Sequence, residues 1–170
     1  MRLSPRAIRV AVRDNTPDLL RFLLRRVPLP EDAADLLGET LLVVWRRAED
    51  LPADPVEARM WMFGIARNVL LTHHRSLAKL TRLGERLREE FDRNSDNSQA
   101  DVENRVELEA ALRAIDDVKK EFVLLVHGEG FTVAEAGRIL DLNPSTARSR
   151  YAAALAQLRA VLGATAPSPR

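Results

Sequence analysis

Helix starts are written repeatedly into this sequence, and they leave little room for any other secondary structure. Ser4-Pro5, Thr16-Pro17 and Asn143-Pro144 each place a polar acceptor before a proline. The acceptor caps free N–H groups, and the proline ring suits the first helical position, where no N–H is needed. Asp54-Pro55 with Glu57, and Thr132 with Glu135, add the reciprocal acid of a capping box. Between these starts apolar residues recur at spacings of three and four, and nowhere do they alternate as in a strand. The expected fold class is all-α, and 170 residues are read as two small helical domains rather than one.

Composition narrows the chemistry. The chain contains no cysteine, which removes disulfides, thiolate metal sites and cysteine nucleophiles. His73 and His74 are adjacent and therefore sit on different faces of a helix, so no metal site is expected there, and no cofactor elsewhere. No carboxylate pair, phosphate-cradling glycine loop or nucleophile constellation appears, so the chain is not expected to be an enzyme. No apolar run approaches the ~20 residues of a membrane span, and the expected location is the cytoplasm. Formal net charge is +1, but residues 144–170 carry four arginines and no acid. Such a local basic stretch can meet phosphate while the average stays near neutral.

In chain order, two short helices are expected after Pro5 and Pro17. The second has Leu19, Leu20, Leu23, Leu24 and Val27 inside and Arg21, Arg25 and Arg26 outside, and Pro28 and Pro30 end it. The next helix, from Asp32, buries Ala33, Leu37, Leu41, Val44 and Ala48 with Trp45 beside them. Asp32, Asp35, Glu39, Leu42 and Arg46 share its other face. Acids near a helix N-terminus also complement the dipole, so this face is either a solvated one or a docking surface for a basic partner; Glu39 lies too deep for the dipole account.

The helix opened by Asp54 and Pro55 has three rows: Trp61, Ile65 and Val69; Asn68, Thr72, Arg75 and Lys79; and Arg59, Phe63 and Arg67. Trp61 is assigned to the core rather than to base stacking, on its spacing to Ile65 and Val69. Gly64 is read as a close approach between helices. The helical pattern can continue through Leu77, Leu80, Leu83 and Leu87. Asn94 to Gln99 then has neither periodicity nor helix bias and reads as a mobile linker.

Apolar periodicity resumes from Val102 to Ile115 and from Phe122 to Val126, where Gly128 and Gly130 end it. A helix from Thr132 to about Asp141, a tight turn, and a helix from Pro144 to Leu162 follow, which is a helix-turn-helix arrangement. Ala147, Tyr151, Ala154, Leu155, Leu158 and Leu162 face inward. Ser145, Arg148, Ser149 and Ala152 face out, with Arg150 near the boundary. Serine and arginine in the first turns are what a recognition helix offers a major groove, although a three-helix bundle with a solvated arginine face has the same pattern.

Asp32-x-x-Asp35-Leu36-x-x-Glu39-Thr40, then Trp61-x-x-x-Ile65-Ala66-Arg67-Asn68, then Thr132-x-x-Glu135 with Ser145 to Arg150 together resemble the bacterial RNA polymerase sigma factors of the extracytoplasmic-function (ECF) class. The resemblance spans about residues 17–162, in order and with matching spacings. It implies a region 2-like domain at residues 1–90, a flexible linker at 91–100, a region 4-like helix-turn-helix domain at 101–163 and a disordered tail at 164–170.

The implied function is to bind polymerase core and direct promoter-specific initiation. Asp32, Asp35, Glu39 and Leu42 would meet the β′ clamp helices. The loop from Leu51 to Ala58 would take a flipped base of the minus-10 element, with Arg59, Arg67, Asn68, Thr72 and Arg75 as further minus-10 contacts. Ser145, Thr146, Arg148, Ser149 and Arg150 would read the minus-35 element. The implied partners are polymerase core, including the β flap, promoter DNA and an anti-sigma factor. Departures from the family pattern include Gly38 in place of glutamine and Asp141 in place of the turn glycine. A stand-alone helix-turn-helix regulator with an N-terminal dimerisation or ligand module is the alternative, but it leaves the Asp35–Glu39 face unexplained.

Overall fold

The computed structural model describes residues 4–91 and 117–165, all helix and connecting turns with no strand among them. The chain divides into two compact units, residues 1–97 and 98–170. The all-α expectation holds. The Asn94–Gln99 stretch, the Val102–Ile115 periodicity and residues 166–170 lie outside the described residues.

The first unit begins with α1, Pro5–Leu24, a single helix where two were expected. Ser4 caps it as expected, its Oγ accepting from the Ala7 N–H at 3.2 Å. Thr16 is not a cap. Its hydroxyl donates to the Val12 carbonyl at 2.7 Å, and the Asn15 amide donates to the Ala11 carbonyl at 2.8 Å. Side-chain donors thus bond carbonyls in the turn that Pro17 disturbs, and the helix carries the proline inside.

A continuous α1 sets one phase for its buried stripe, which is Val12, Leu19, Phe22 and Leu23. Leu24, expected inside, is exposed. Arg26, expected outside, is half-buried with its guanidinium 3.7 Å from the Phe22 ring centroid, and it donates to the Phe22 carbonyl at 2.8 Å. The long apolar stem of arginine makes that position compatible with the core edge.

Helix α2, Pro30–Arg46, buries Ala33, Leu36, Thr40 and Val44. Leu37, Leu41 and Ala48 are only half-buried, and Trp45 is 45% exposed, so the expected stripe is corrected by about one position. A threonine accounts for the shift. Thr40 is fully buried because its hydroxyl is satisfied by the Leu36 carbonyl at 2.7 Å, so a polar letter occupies a core position that apolar counting skips.

A 3₁₀ turn, Ala48–Asp50, leads to a short loop and α3, Pro55–Phe91. Asp54 caps α3, its Oδ1 accepting from Val56 and Glu57 at 3.0 and 2.9 Å. The buried side of α3 is Ala58, Met62, Ile65, Ala66 and Leu70, with Phe63 also fully buried. Phe63 meets Phe22 edge-on at 5.3 Å and 76°, joining α3 to α1. Trp61 is half-buried rather than core, with the Arg47 guanidinium 5.6 Å from its ring. Nothing lies within 4 Å of a β-carbon built at Gly64, so the close approach expected there is absent. Leu77, Leu80 and Leu83 are helical but exposed.

In the second unit α4, Asp117–Val123, runs into a π-helical turn, Leu124–Gly128, and Gly130 at φ 76° turns the chain. Helix α5, Val133–Ile139, carries the expected capping box: Thr132 accepts from the Glu135 N–H at 3.2 Å, and Glu135 accepts from the Thr132 N–H at 2.7 Å. Helix α6, Pro144–Thr165, extends past the expected end at Leu162. Phe122, Leu125, Phe131, Ala136, Ala147 and Ala154 form the core. A β-carbon at Gly137 would stand 2.6 Å from that of Ala147, so the glycine of real close approach is in this unit, where α5 crosses α6. Tyr151, Leu155 and Leu158, expected to face in, are half-buried.

Candidate nucleic-acid and partner interfaces

On α2 the burial of Ala33, Leu36, Thr40 and Val44 turns the opposite side to solvent. Asp35 and Glu39 are exposed, Asp32 is half-buried, and Leu42 is 55% exposed. Trp45 stands one turn beyond Leu42 on the same side, an exposed tryptophan that periodicity alone places beside the buried stripe. Acid and apolar groups therefore alternate on a surface whose helix axis is fixed by the core beneath.

Glu39 also belongs to a second grouping. A cavity of about 290 Å³ between α2 and α3 is lined by Glu39, Val43 and Arg47 on one side and Ile65, Asn68 and Thr72 on the other. Helical spacing puts Glu39 and the Asn68–Thr72 row on different elements; the fold gathers them around one opening. Asn68 and Thr72 are exposed, and the Thr72 hydroxyl donates to the Asn68 carbonyl at 3.0 Å, leaving the Asn68 amide free of that bond. Arg75 is exposed a turn further along and Arg67 is half-buried. Arg59 is employed differently from its neighbours. Its guanidinium donates to Asp18 Oδ2 at 3.1 Å and lies 4.7 Å from the Phe63 ring centroid, tying α3 to α1.

In the second unit the tight turn between α5 and α6 is closed by Asp141 at φ 55°, a left-handed position that aspartate tolerates better than most residues. Asn143 Oδ1 accepts from the Thr146 N–H at 2.9 Å and from the Ser145 hydroxyl at 2.8 Å. Ser145 thus spends its proton on the cap and keeps its lone pairs, and Thr146 is half-buried. Arg148, Ser149 and Arg150 are exposed on the first turns of α6. Behind them the Tyr151 hydroxyl and His127 Nε2 are 2.9 Å apart and their rings stack, which braces α6 against the π-helical turn. Sequence carries no signal for that brace, because the two residues lie on separate elements.

The family model described as Sigma-70 region 2 matches residues 11–80, and the model described as ECF sigma factor matches residues 46–163. ECF RNA polymerase sigma factor SigL of Mycobacterium tuberculosis is 25% identical over 145 residues, covering 85% of this chain and 82% of the relative. Among solved structures, the sigma factor RpoE in complex with the anti-sigma factor NepR from Bartonella quintana superposes with a TM-score of 0.68 at 18% identity, over 93% of this chain and 98% of that one. CnrH in complex with the cytosolic domain of CnrY gives 0.65 at 21%, over 96% and 92%. The class is that of the sigma factors of transcription initiation. Within it, this chain belongs to the ECF sigma factor family.

Proposed function

We propose that this sigma factor docks on RNA polymerase core through Asp32, Asp35, Glu39, Leu42 and the neighbouring Trp45, and directs initiation at promoters read through two elements. In this reading residues 1–90 open and hold the minus-10 element, residues 91–100 link, and residues 101–163 read the minus-35 element. The observation that carries it is the exposed start of α6, where Arg148, Ser149 and Arg150 project from a helix-turn-helix whose two helices are locked by Gly137 against Ala147. Arginine there suits guanine edges or phosphates in a major groove.

Asn68, Thr72, Arg67 and Arg75 are assigned to the minus-10 strand. Arg59 is assigned to holding α3 on α1 and reaches DNA only if it leaves Asp18. The β flap is the proposed contact of the second unit, and the cytoplasm is where core and promoter are met. No described helix is long and apolar enough to cross a membrane. An anti-sigma partner is also proposed, supported by the likeness in fold to RpoE, which was solved bound to the anti-sigma factor NepR.

The test is reconstitution. The purified chain is added to polymerase core with a library of promoter fragments, and transcript starts are sequenced. Starts sharing two spaced motifs, present only with both components, are expected. Duplex binding that is as tight and as specific without core would instead favour a stand-alone regulator.

A further inference from the structure

Two contacts between α1 and α3 share one geometry. Asp18 meets Arg59 41 residues further along the chain, and Phe22 meets Phe63 at the same separation. Asp18 and Phe22 are one turn apart on α1, as Arg59 and Phe63 are on α3, so the two helices run in the same direction here and touch along facing ridges. One rung of this ladder is polar and the next is aromatic. Arg59 joins them, because its guanidinium donates to Asp18 Oδ2 at 3.1 Å and lies 4.7 Å from the Phe63 ring centroid.

The two rungs constrain different things. Apolar packing is non-directional and tolerates sliding of one helix along the other, whereas a slip of one residue, about 1.5 Å, would break a hydrogen bond of this length. Asp18 therefore fixes the axial position of α3 on α1. Stability is not what the pair supplies: the Arg59 and Asp18 side chains are 25% and 30% exposed, and pairs that open to solvent contribute little. Arg21 donates to Asp18 Oδ1, so both carboxylate oxygens are held and the side chain is oriented. Asp14, one turn earlier on α1, pairs instead with Arg13 at 2.8 Å.

The axial position of α3 matters for the loop before it. Leu51 is buried, Ala53 to Val56 are all exposed, and burial resumes at Ala58 and Met60. Exposed residues have no packing to place them, so this stretch is placed from its two ends. The Asp54 cap shapes the turn but ties it only to the first residues of α3. Arg59, next to Ala58, carries a tie to α1.

We propose that Asp18 is a positioning residue for minus-10 recognition: through Arg59 it holds the Leu51–Ala58 loop where that loop takes an unpaired base. The role rests on the reading that this loop receives a minus-10 base, and it adds the α1 carboxylate that aims the loop.

The test combines changes in protein and DNA. Holoenzyme carrying the parent chain or Asp18→Asn is bound to promoter DNA whose minus-10 strand is unpaired, either intact or lacking one base at each position in turn. The parent should lose affinity several-fold where the captured base is missing. Asp18→Asn should bind the intact strand several-fold more weakly than the parent and lose little more when that base is removed, because a displaced loop no longer holds it. Arg59→Gln should behave alike, and the double variant should be no worse than either single change, since all three remove one bond. Equal weakening on intact and abasic strands is what a purely structural role gives, and it would overturn the positioning role. Unchanged binding, or losses that add in the double variant, would overturn it as well. If the parent depends on no base at all, the loop reading fails, and the role of Asp18 with it.

Discussion

Three glycines illustrate how differently one residue type can be constrained. Gly137 has the Ala147 β-carbon 2.6 Å from where its own would be, whereas Gly38 and Gly64 have open space. Gly137→Ala should therefore destabilise the second unit by about 1–3 kcal/mol through overpacking. Gly38→Ala and Gly64→Ala should each stabilise the first by about 0.5–1 kcal/mol, by helix propensity. Urea unfolding of each variant against the parent checks all three. Charges on α2 are decided by exposure in the same way. The Asp35→Lys/Glu39→Lys variant should lose core polymerase affinity while its circular dichroism stays that of the parent, since neither side chain is packed. Retention of full affinity by that double variant would remove the acidic face from the docking surface. Trp45→Ala should weaken core binding as well, because a half-exposed tryptophan beside an exposed leucine is the composition of an interface centre.

Elements are legible in the sequence where the chain spends local chemistry on its own ends. Ser4, Asp54, Thr132 and Asn143 all cap as expected, because a cap is a contact within three residues. Thr16 misleads for the same local reason. Its hydroxyl has two uses, capping the next turn or bonding back to Val12, and only packing of Leu19 and Phe22 against the other helices selects the second. Thr40 and Trp45 escape the pattern because burial depends on what the facing helix offers, which periodicity does not contain. The candidate site divides similarly. Exposure of Arg148, Ser149 and Arg150 follows from helix phase, whereas the employment of Arg59 by Asp18 joins residues far apart in sequence. On α6 the expected consequence is measurable. Arg148→Ala should weaken minus-35 duplex binding by about 1–3 kcal/mol and relax specificity at one position if it meets a base edge. If it meets phosphate, it should weaken all sequences alike and lower the salt slope by about 0.9. Cognate and scrambled duplexes at two salt concentrations separate the cases.

At the scale of the molecule, each unit has its own buried aromatic centre: Phe22 with Phe63 in the first, Phe122 in the second. A Phe→Ala change in a core costs about 3–5 kcal/mol, a large share of what a small unit has. Phe122→Ala should therefore lower the unfolding transition of the second unit while leaving that of the first in place, and Phe63→Ala should do the reverse. Hydrogen exchange resolved along the chain reads both, and loss of protection in both units from either change would show that they unfold together. Separate cores also have a genetic consequence. A lesion such as Phe122→Ala is expected to leave the first unit folded, and with it the proposed polymerase-docking face, so the damaged chain would still occupy core and withhold it from intact copies. Such an allele is expected to be dominant, lowering the output of the wild-type gene when both are expressed, whereas Phe63→Ala, expected to unfold the unit that carries the proposed docking face, should be recessive.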